Sequence, residues 1–329
     1  MTAISTEYED LTVRQQIGPG TDAVQGWPLH FPDGSAPLST DSTAVAADDW
    51  YGFRDPNQSI YVRWVAAVHE TESKLAAAIA LLGGDGALDV VEPDWLVEGI
   101  GRDLVILPFT DRALFRVLSR AQRLALSDTV TLPLVFEAAD KLRHVEHVAA
   151  LRAEVESAGA PDIFADVHQV WFTDARWQPL RSAVEALLAT EDWVEAVVAA
   201  NLIIDPLIGR YLREQYLVVA AEANRDAYTP VLVQAWRADT ARSQTWTLSL
   251  VDHLLADPAH GAANAAVITE WAHRWETHAL AAAEALAPLP ANAPGRPIEA
   301  AAAWATVVSE YHAAVGGRWN SRLTVGGLR

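Results

Sequence analysis

Residues 139–147 read ADKLRHVEH and stand inside a long helical pattern. A carboxylate and a histidine three residues apart share one helix face. Two such Glu-x-x-His pairs, with two further glutamates, are how a four-helix bundle holds a di-iron centre. Here the position three before His144 is Lys141, a cation where an anionic ligand is needed. Asp140 lies four before His144, and His147 shares its face. Lys141, Arg143 and Arg152 also load the helix with positive charge, which disfavours a bound cation. Three readings follow: a metal site, a vacated one, or a helix whose histidine makes a structural hydrogen bond.

Outward from this stretch the periodicity is helical almost everywhere from residue 56 to the C-terminal region. A pattern over 57–84 starts at Asp55-Pro56 and stops at Gly83-Gly84, and Thr110 and Asp111 open another over 112–127. The run 129–159 carries the quoted stretch, and Asp162 caps a pattern reaching Thr190. Further patterns cover 191–224, 228–257, 261–287 and 297–317. Pro133, Pro179 and Pro206 fall inside helical patterns, so NLIIDPLIGR (201–210) is expected to bend or widen at Pro206. No alternating strand pattern or fixed-period repeat occurs. Long helices with short polar breaks predict an all-α bundle of antiparallel neighbours.

The chain has 329 residues, 51% of them apolar and 20% charged, which is enough for a sizeable core. A formal charge of −19 opposes nucleic acid or an anionic membrane as partner. Without cysteine there are no disulfides or thiolate metal sites, which fits a cytoplasmic protein. The only lysines are Lys74 and Lys141. Residues 18–40 are rich in Pro and Gly, yet Trp27, Leu29, Phe31, Trp50, Tyr51 and Phe53 lie in or beside them. Residues 1–55 therefore read as an extended arm, packed on its own domain or laid across a partner. A helical domain over 56–315 and a tail over 316–329 complete the organisation.

Other chemistry is poorly represented. No Gly-x-Gly-x-x-Gly or Walker loop and no Gly-x-Ser-x-Gly elbow occurs. Glu270 and His273 form the one true Glu-x-x-His. The pairs Glu70/Glu72 and Glu154/Glu156 are two residues apart and diverge on a helix. Thirteen tryptophans are a heavy load, and this residue is enriched at partner surfaces.

Six stretches in order carry a family resemblance: FRDPNQSIYVRWV (53–65), PFTDRALFRVLSRAQ (108–122), ADKLRHVEHVAAL (139–151), NLIIDPLIGRYL (201–212), WRADTARSQTWTLSL (236–250) and HGAANAAVITEW (260–271). Together they resemble the hydroxylase β (small) subunit of soluble bacterial multicomponent di-iron monooxygenases. That resemblance implies a ferritin-like, ribonucleotide-reductase-like bundle, paralogous to an α subunit that alone binds iron. Where α reads Asp-Glu-x-Arg-His, this chain reads Asp140-Lys141-Leu142-Arg143-His144. Where α has a glutamate before its Asn-Pro-Leu-Ile run, this chain has Ala200. Where α has its second Glu-x-x-His, this chain reads Ala238-Asp239-Thr240-Ala241-Arg242.

The resemblance therefore implies no catalytic, cofactor-binding or metal residue in this chain. It implies a di-iron α subunit, in some members a γ subunit, a coupling or regulatory protein, and an NADH-dependent reductase with FAD and 2Fe–2S. Trp27, Phe31, Trp50, Tyr51, Phe53, Arg54 and His144 are the residues expected to face the α subunit. In character the chain looks most similar to the short-alkene (ethene or propene) enzymes, with propane and aromatic hydroxylases next. The alternative is a free-standing ferritin-like metalloprotein using Glu270 and His273.

Overall fold

The computed structural model describes residues 6–14, 34, 38–84, 86–159 and 161–328. Its principal helices are α1 (Tyr61–Gly84), α2 (Val105–Leu124), α3 (Asp128–Ser157), α4 (Val167–Thr173) and α5 (Gln178–Ala189). Then follow α6 (193–223), α7 (Tyr228–Leu255), α8 (Gly261–Leu286) and α9 (Ala300–Val315). The described residues contain no strand, and none of their helices is long and apolar enough to cross a membrane.

Helices α2, α3, α7 and α6 pack as a ring of four, each against the next. Apolar positions at helical spacing turn inward and form one continuous core. Helix α6 is central: every residue from 193 to 208 is buried. Helix α8 covers α6 and α5, α9 covers α6, and α1 lies against α7 and α3.

The expected widening is present. Helix α6 winds with i→i+5 turns over Ala199–Gly209 and again over Tyr211–Val218. Pro206 has no N–H for the carbonyl four residues back, and its ring crowds that carbonyl. A wide turn relieves both problems. Similar turns at Leu96–Leu104 lead into α2.

Three boundaries differ from the sequence reading. The chain is already helical at Val105, so Thr110 and Asp111 do not start a helix; Asp111 is buried and turned inward. The pattern after Asp162 breaks at 174–177, where the Asp174 carboxylate accepts the Arg176 N–H at 2.9 Å and closes a turn. Pro179 thereby stands in the first turn of α5, where a missing N–H costs nothing. Asp55 likewise forms a turn, accepting from Asn57 and Ser59 N–H, and α1 begins only at Tyr61.

The segment before α1 also differs from a partner-facing arm. Val45, Trp50 and Phe53 belong to this chain's own core, with the Trp50 ring 5.6 Å from that of Trp193. Asn264 holds Ala46 through both backbone groups, and Asp192 accepts from Ala44 N–H. Tyr51 is half-buried, and Arg54 is tied to Glu9 and to the carbonyls of Tyr51 and Phe53. A large ring with a core pocket in reach is buried there because exposure to water costs about 25 cal/mol per Å². Trp27 and Phe31 lie outside the described residues. At the other end, Trp319, Leu323 and Leu328 join the same core.

Phe53 is 1% exposed, so Phe53→Ala should cost the isolated chain roughly 3–5 kcal/mol of unfolding free energy. Urea unfolding checks this. An unchanged midpoint would remove residues 45–60 from the core.

Candidate functional site

The bundle interior gathers charged side chains from α2, α3, α6 and α7. Lys141 on α3 donates to Asp205 on α6 at 2.9 Å. Arg213, two turns further along α6, donates to the other oxygen of Asp205 at 2.6 Å. All three side chains are at most 10% exposed. Beside them, His144 Nε2 meets Asp239 on α7 at 3.1 Å, and its Nδ1 lies 4.0 Å from Asp111 on α2. Arg143 bonds Asp140 at 2.6 Å, while Arg242 reaches both Asp140 and Asp239. The Trp64 indole of α1 donates to Asp140 at 3.0 Å. At the outer end, Glu72 of α1 accepts from Arg143 and contacts His147 Nε2 at 2.9 Å.

The electrostatics favour the charged forms of Lys141, Asp205, His144 and Asp239, whereas burial raises the Asp140 pKa and lowers that of His147. Burial alone would raise the Asp205 pKa, but the charges of Arg213 and Lys141 outweigh it and hold the carboxyl well below its ordinary range. Burial would discharge Lys141, yet the fields of Asp205 and Asp111 prevail and raise its pKa. His144 follows the same logic: burial opposes its charge, and the neighbouring Asp111 carboxylate with the bond to Asp239 outweighs it. Asp239 is lowered against burial by His144, Arg242 and Arg143. Lys141, Asp205, His144 and Asp239 thus each have an opposite partner within hydrogen-bond reach, the condition under which buried ions persist.

Glu137 lies one turn before Lys141 and behaves differently. Its Oε2 accepts from Asn201 at 3.0 Å and Trp246 at 2.9 Å, while Oε1 has no partner among the described residues. Burial dominates the opposing pull of Lys141, Trp246 and Asn201, and raises its pKa to about 7.

This donor set does not suit a di-iron centre. Such a centre needs about four carboxylates and two histidines directed at one point. Here Lys141 puts an ammonium, and Arg143, Arg213 and Arg242 put guanidiniums, among the inward-facing carboxylates. Asp140, Asp205 and Asp239 are already committed to the cations, and Ala200 offers no ligand atom. His144, 1% exposed, is a structural member of the network and faces no partner surface.

Glu270 and His273 are not brought to the interior. The Glu270 side chain is 81% exposed, and His273 Nε2 is engaged by the Asn320 carbonyl at 2.7 Å. Among the described residues, Asp48, Asp257 and His260 form a three-ligand cluster on the surface. Asp257 there accepts backbone N–H groups of Asp48, Ala259 and His260, which is a turn-closing role. Sequence reading missed Asp111, Asp205 and Arg213 as members of the network. The available signal was an aspartate inside the otherwise apolar run NLIIDPLI, since a lone carboxylate there demands a buried cation.

A long-helix bundle with buried lysine and arginine paired to its interior carboxylates defines a ferritin-like helical fold. A sequence model of the methane/phenol/alkene hydroxylase family matches residues 27–258. The chain belongs to this family, as a hydroxylase β (small) subunit of the soluble di-iron monooxygenases. It is 32% identical over 292 residues to the propane 2-monooxygenase hydroxylase small subunit of Mycolicibacterium goodii, covering 87% of this chain and 77% of that one. It is 29% identical over 240 residues to the toluene-4-monooxygenase hydroxylase subunit beta of Ectopseudomonas mendocina, covering 72% and 71%. Among solved structures, toluene 4-monooxygenase with toluene in its resting active site aligns with a TM-score of 0.70 and 26% identity, over 75% of this chain and 80% of that one. Xenon-pressurised phenol hydroxylase from Pseudomonas sp. OX1 aligns with a TM-score of 0.81 over 97% and 92% at 18% identity, a likeness of fold.

Two variants probe the network. Lys141→Met leaves Asp205 with Arg213 alone and should destabilise the chain by about 3–5 kcal/mol in urea unfolding. Glu137→Gln keeps an acceptor for Asn201 and Trp246 while removing the buried charge. Because the folded-state pKa is raised, the wild type carries no penalty below pH ~4.5, a growing one up to about 7, and a constant one above. The variant should therefore gain roughly 3 kcal/mol over the wild type between pH ~4.5 and ~8. A pH-independent difference would show that Glu137 titrates alike in the folded and unfolded chain.

Proposed function

We propose that this chain is a non-catalytic subunit of a multicomponent hydrocarbon monooxygenase, supporting an α subunit that holds the di-iron centre. The observation that carries this reading is Lys141. Its ammonium occupies a ligand position and is bonded at 2.9 Å to Asp205, within a network where each charge has its counterion. Such a bundle is a scaffold: it keeps the geometry of a metal-binding fold and spends its interior charges on internal cohesion. In this reading the oxygenase runs with a coupling protein and an NADH-dependent reductase carrying FAD and 2Fe–2S, in the cytoplasm, where NADH is available. The free-standing metalloprotein reading loses ground because Glu270 and His273 lie at the surface.

For the substrate we propose a short-chain hydrocarbon. Short alkenes were the first expectation from sequence character. The propane 2-monooxygenase small subunits, at 29–32% identity over about 290 residues, favour propane more than the toluene, methane or phenol relatives favour theirs. The substrate would be selected in the α subunit, so this chain's sequence reports it only indirectly.

The test is elemental analysis after anaerobic reconstitution with ferrous iron. The isolated chain should retain no stoichiometric iron, while its complex with the α subunit should hold about two irons per pair. Two irons retained by the isolated chain would overturn the proposal.

A further inference from the structure

Among the described residues, helix α3 packs against α1, α2 and the segment Asp10–Arg14, and part of its surface stays exposed. Toward α1 it presents Phe136, stacked on Trp64 at 5.3 Å, together with Asp140, Arg143 and His147. Toward the core and α2 it presents Leu134, Glu137, Lys141, His144 and Val148. Between these lie Val135, Ala139, Leu142, Glu146, Ala149 and Ala153, each exposed or half-buried. Their spacing is 4-3-4-3-4, the seam of a helix that pairs with another helix. Five of the six are apolar and three are alanine, which lets a second helix approach to about 8 Å. The seam runs about 27 Å along α3.

Both flanks extend this face. On α1, Tyr61 is 68% and Val62 61% exposed, and only Leu75 in all 24 residues is fully buried. Helix α2 contributes Arg112, Arg116, Arg120 and Arg123, all exposed and spaced to form one stripe. Its one carboxylate, Asp111, points inward. Arg120 bonds the Thr190 carbonyl, whereas Arg112 and Arg116 enter no ion pair within the described residues. On a chain of net charge −19, Arg112 and Arg116 without counterions among the described residues ask for carboxylates from elsewhere. The strip is about 40 Å long and about 20 Å wide, on the order of the 800 Å² that a stable interface takes from each partner.

We propose that the iron-bearing α subunit seats a helix along the α3 seam, between α1 and α2, with its carboxylates against Arg112 and Arg116. This rests on the oxygenase reading and supplies the contact surface which that reading requires. A second copy of this chain is a poorer occupant: it repeats the same strong negative charge, and its seam offers the stripe only Glu146. An apolar, small-residue seam suits a permanent subunit contact, and the arginine border fixes its register.

The experiment uses the full chain co-produced with its α subunit. Val135→Glu with Ala149→Glu charges the seam, and Arg112→Glu with Arg116→Glu reverses the stripe. All four sites are exposed, and thermal melts of the isolated variants confirm that folding is intact. The seam variant should weaken association with α about 100-fold or more. The stripe variant should weaken it about tenfold at low salt and less at high salt. Hydrogen exchange should slow across 131–157 when the wild-type complex forms. Folded variants that bind α with unchanged affinity would overturn the surface while leaving the oxygenase reading intact. So would a self-associating wild type that the seam variant makes monomeric without loss of α binding. A wild-type chain that forms no complex with any iron-bearing subunit would overturn both.

Discussion

The contact between Lys141 and Asp205, braced by Arg213, is the constraint around which the interior is arranged. Removing three charges from water is expensive, and their mutual attraction repays that cost only when every lone pair and proton is engaged. Asp205 can reach both cations because α6 is wound wide at this point, and that winding follows from Pro206 immediately after it. One local feature of sequence, Asp-Pro in an apolar run, thus sets both the shape of the central helix and the placement of its charge. Gly209 belongs to the same arrangement: a Cβ there would come within 2.4 Å of the Asp205 carboxylate and 2.7 Å of the Arg213 guanidinium.

The network then spreads by shared partners. Asp111 faces both Lys141 and His144, Asp239 joins His144 to Arg242, and Asp140 joins Arg242 to Arg143 and to Trp64 of α1. Four bundle helices and α1 are tied together through groups that would be intolerable singly. Losing one member leaves its partner buried and unpaired, so the network is more demanding of exact geometry than an apolar core.

Much of this was legible in the sequence, and the reasons for the remainder are physical. The helices read correctly because their apolar period is long and strong, and the Pro206 widening because proline's missing N–H is a local property. Lys141 in ADKLRHVEH showed a cation at a position where a metal ligand would need an anion. The boundaries at Thr110 and Asp111 misread because an aspartate looks the same as a cap and as an inward-facing ion; only the fold brings His144 to it. The segment carrying Trp50 and Phe53 misread for a related reason. Residue type shows that an aromatic ring must be buried, but the choice between its own core and a partner depends on where Trp193 and His253 stand in three dimensions. The seam on α3 is present in the sequence as 4-3 spacing, yet only the burial pattern shows how much of it the described chain leaves exposed.

The most direct test of a buried, charged Lys141 is the state of its nitrogen. The chain has two lysines, so a ¹⁵Nζ spectrum contains two signals, and Lys74→Arg assigns the one from Lys141. The account predicts an ammonium resonance for Lys141 that persists to pH above ~10, with slowly exchanging protons held by Asp205. A Lys141 nitrogen that titrates near neutrality, or is already a neutral amine there, would contradict it.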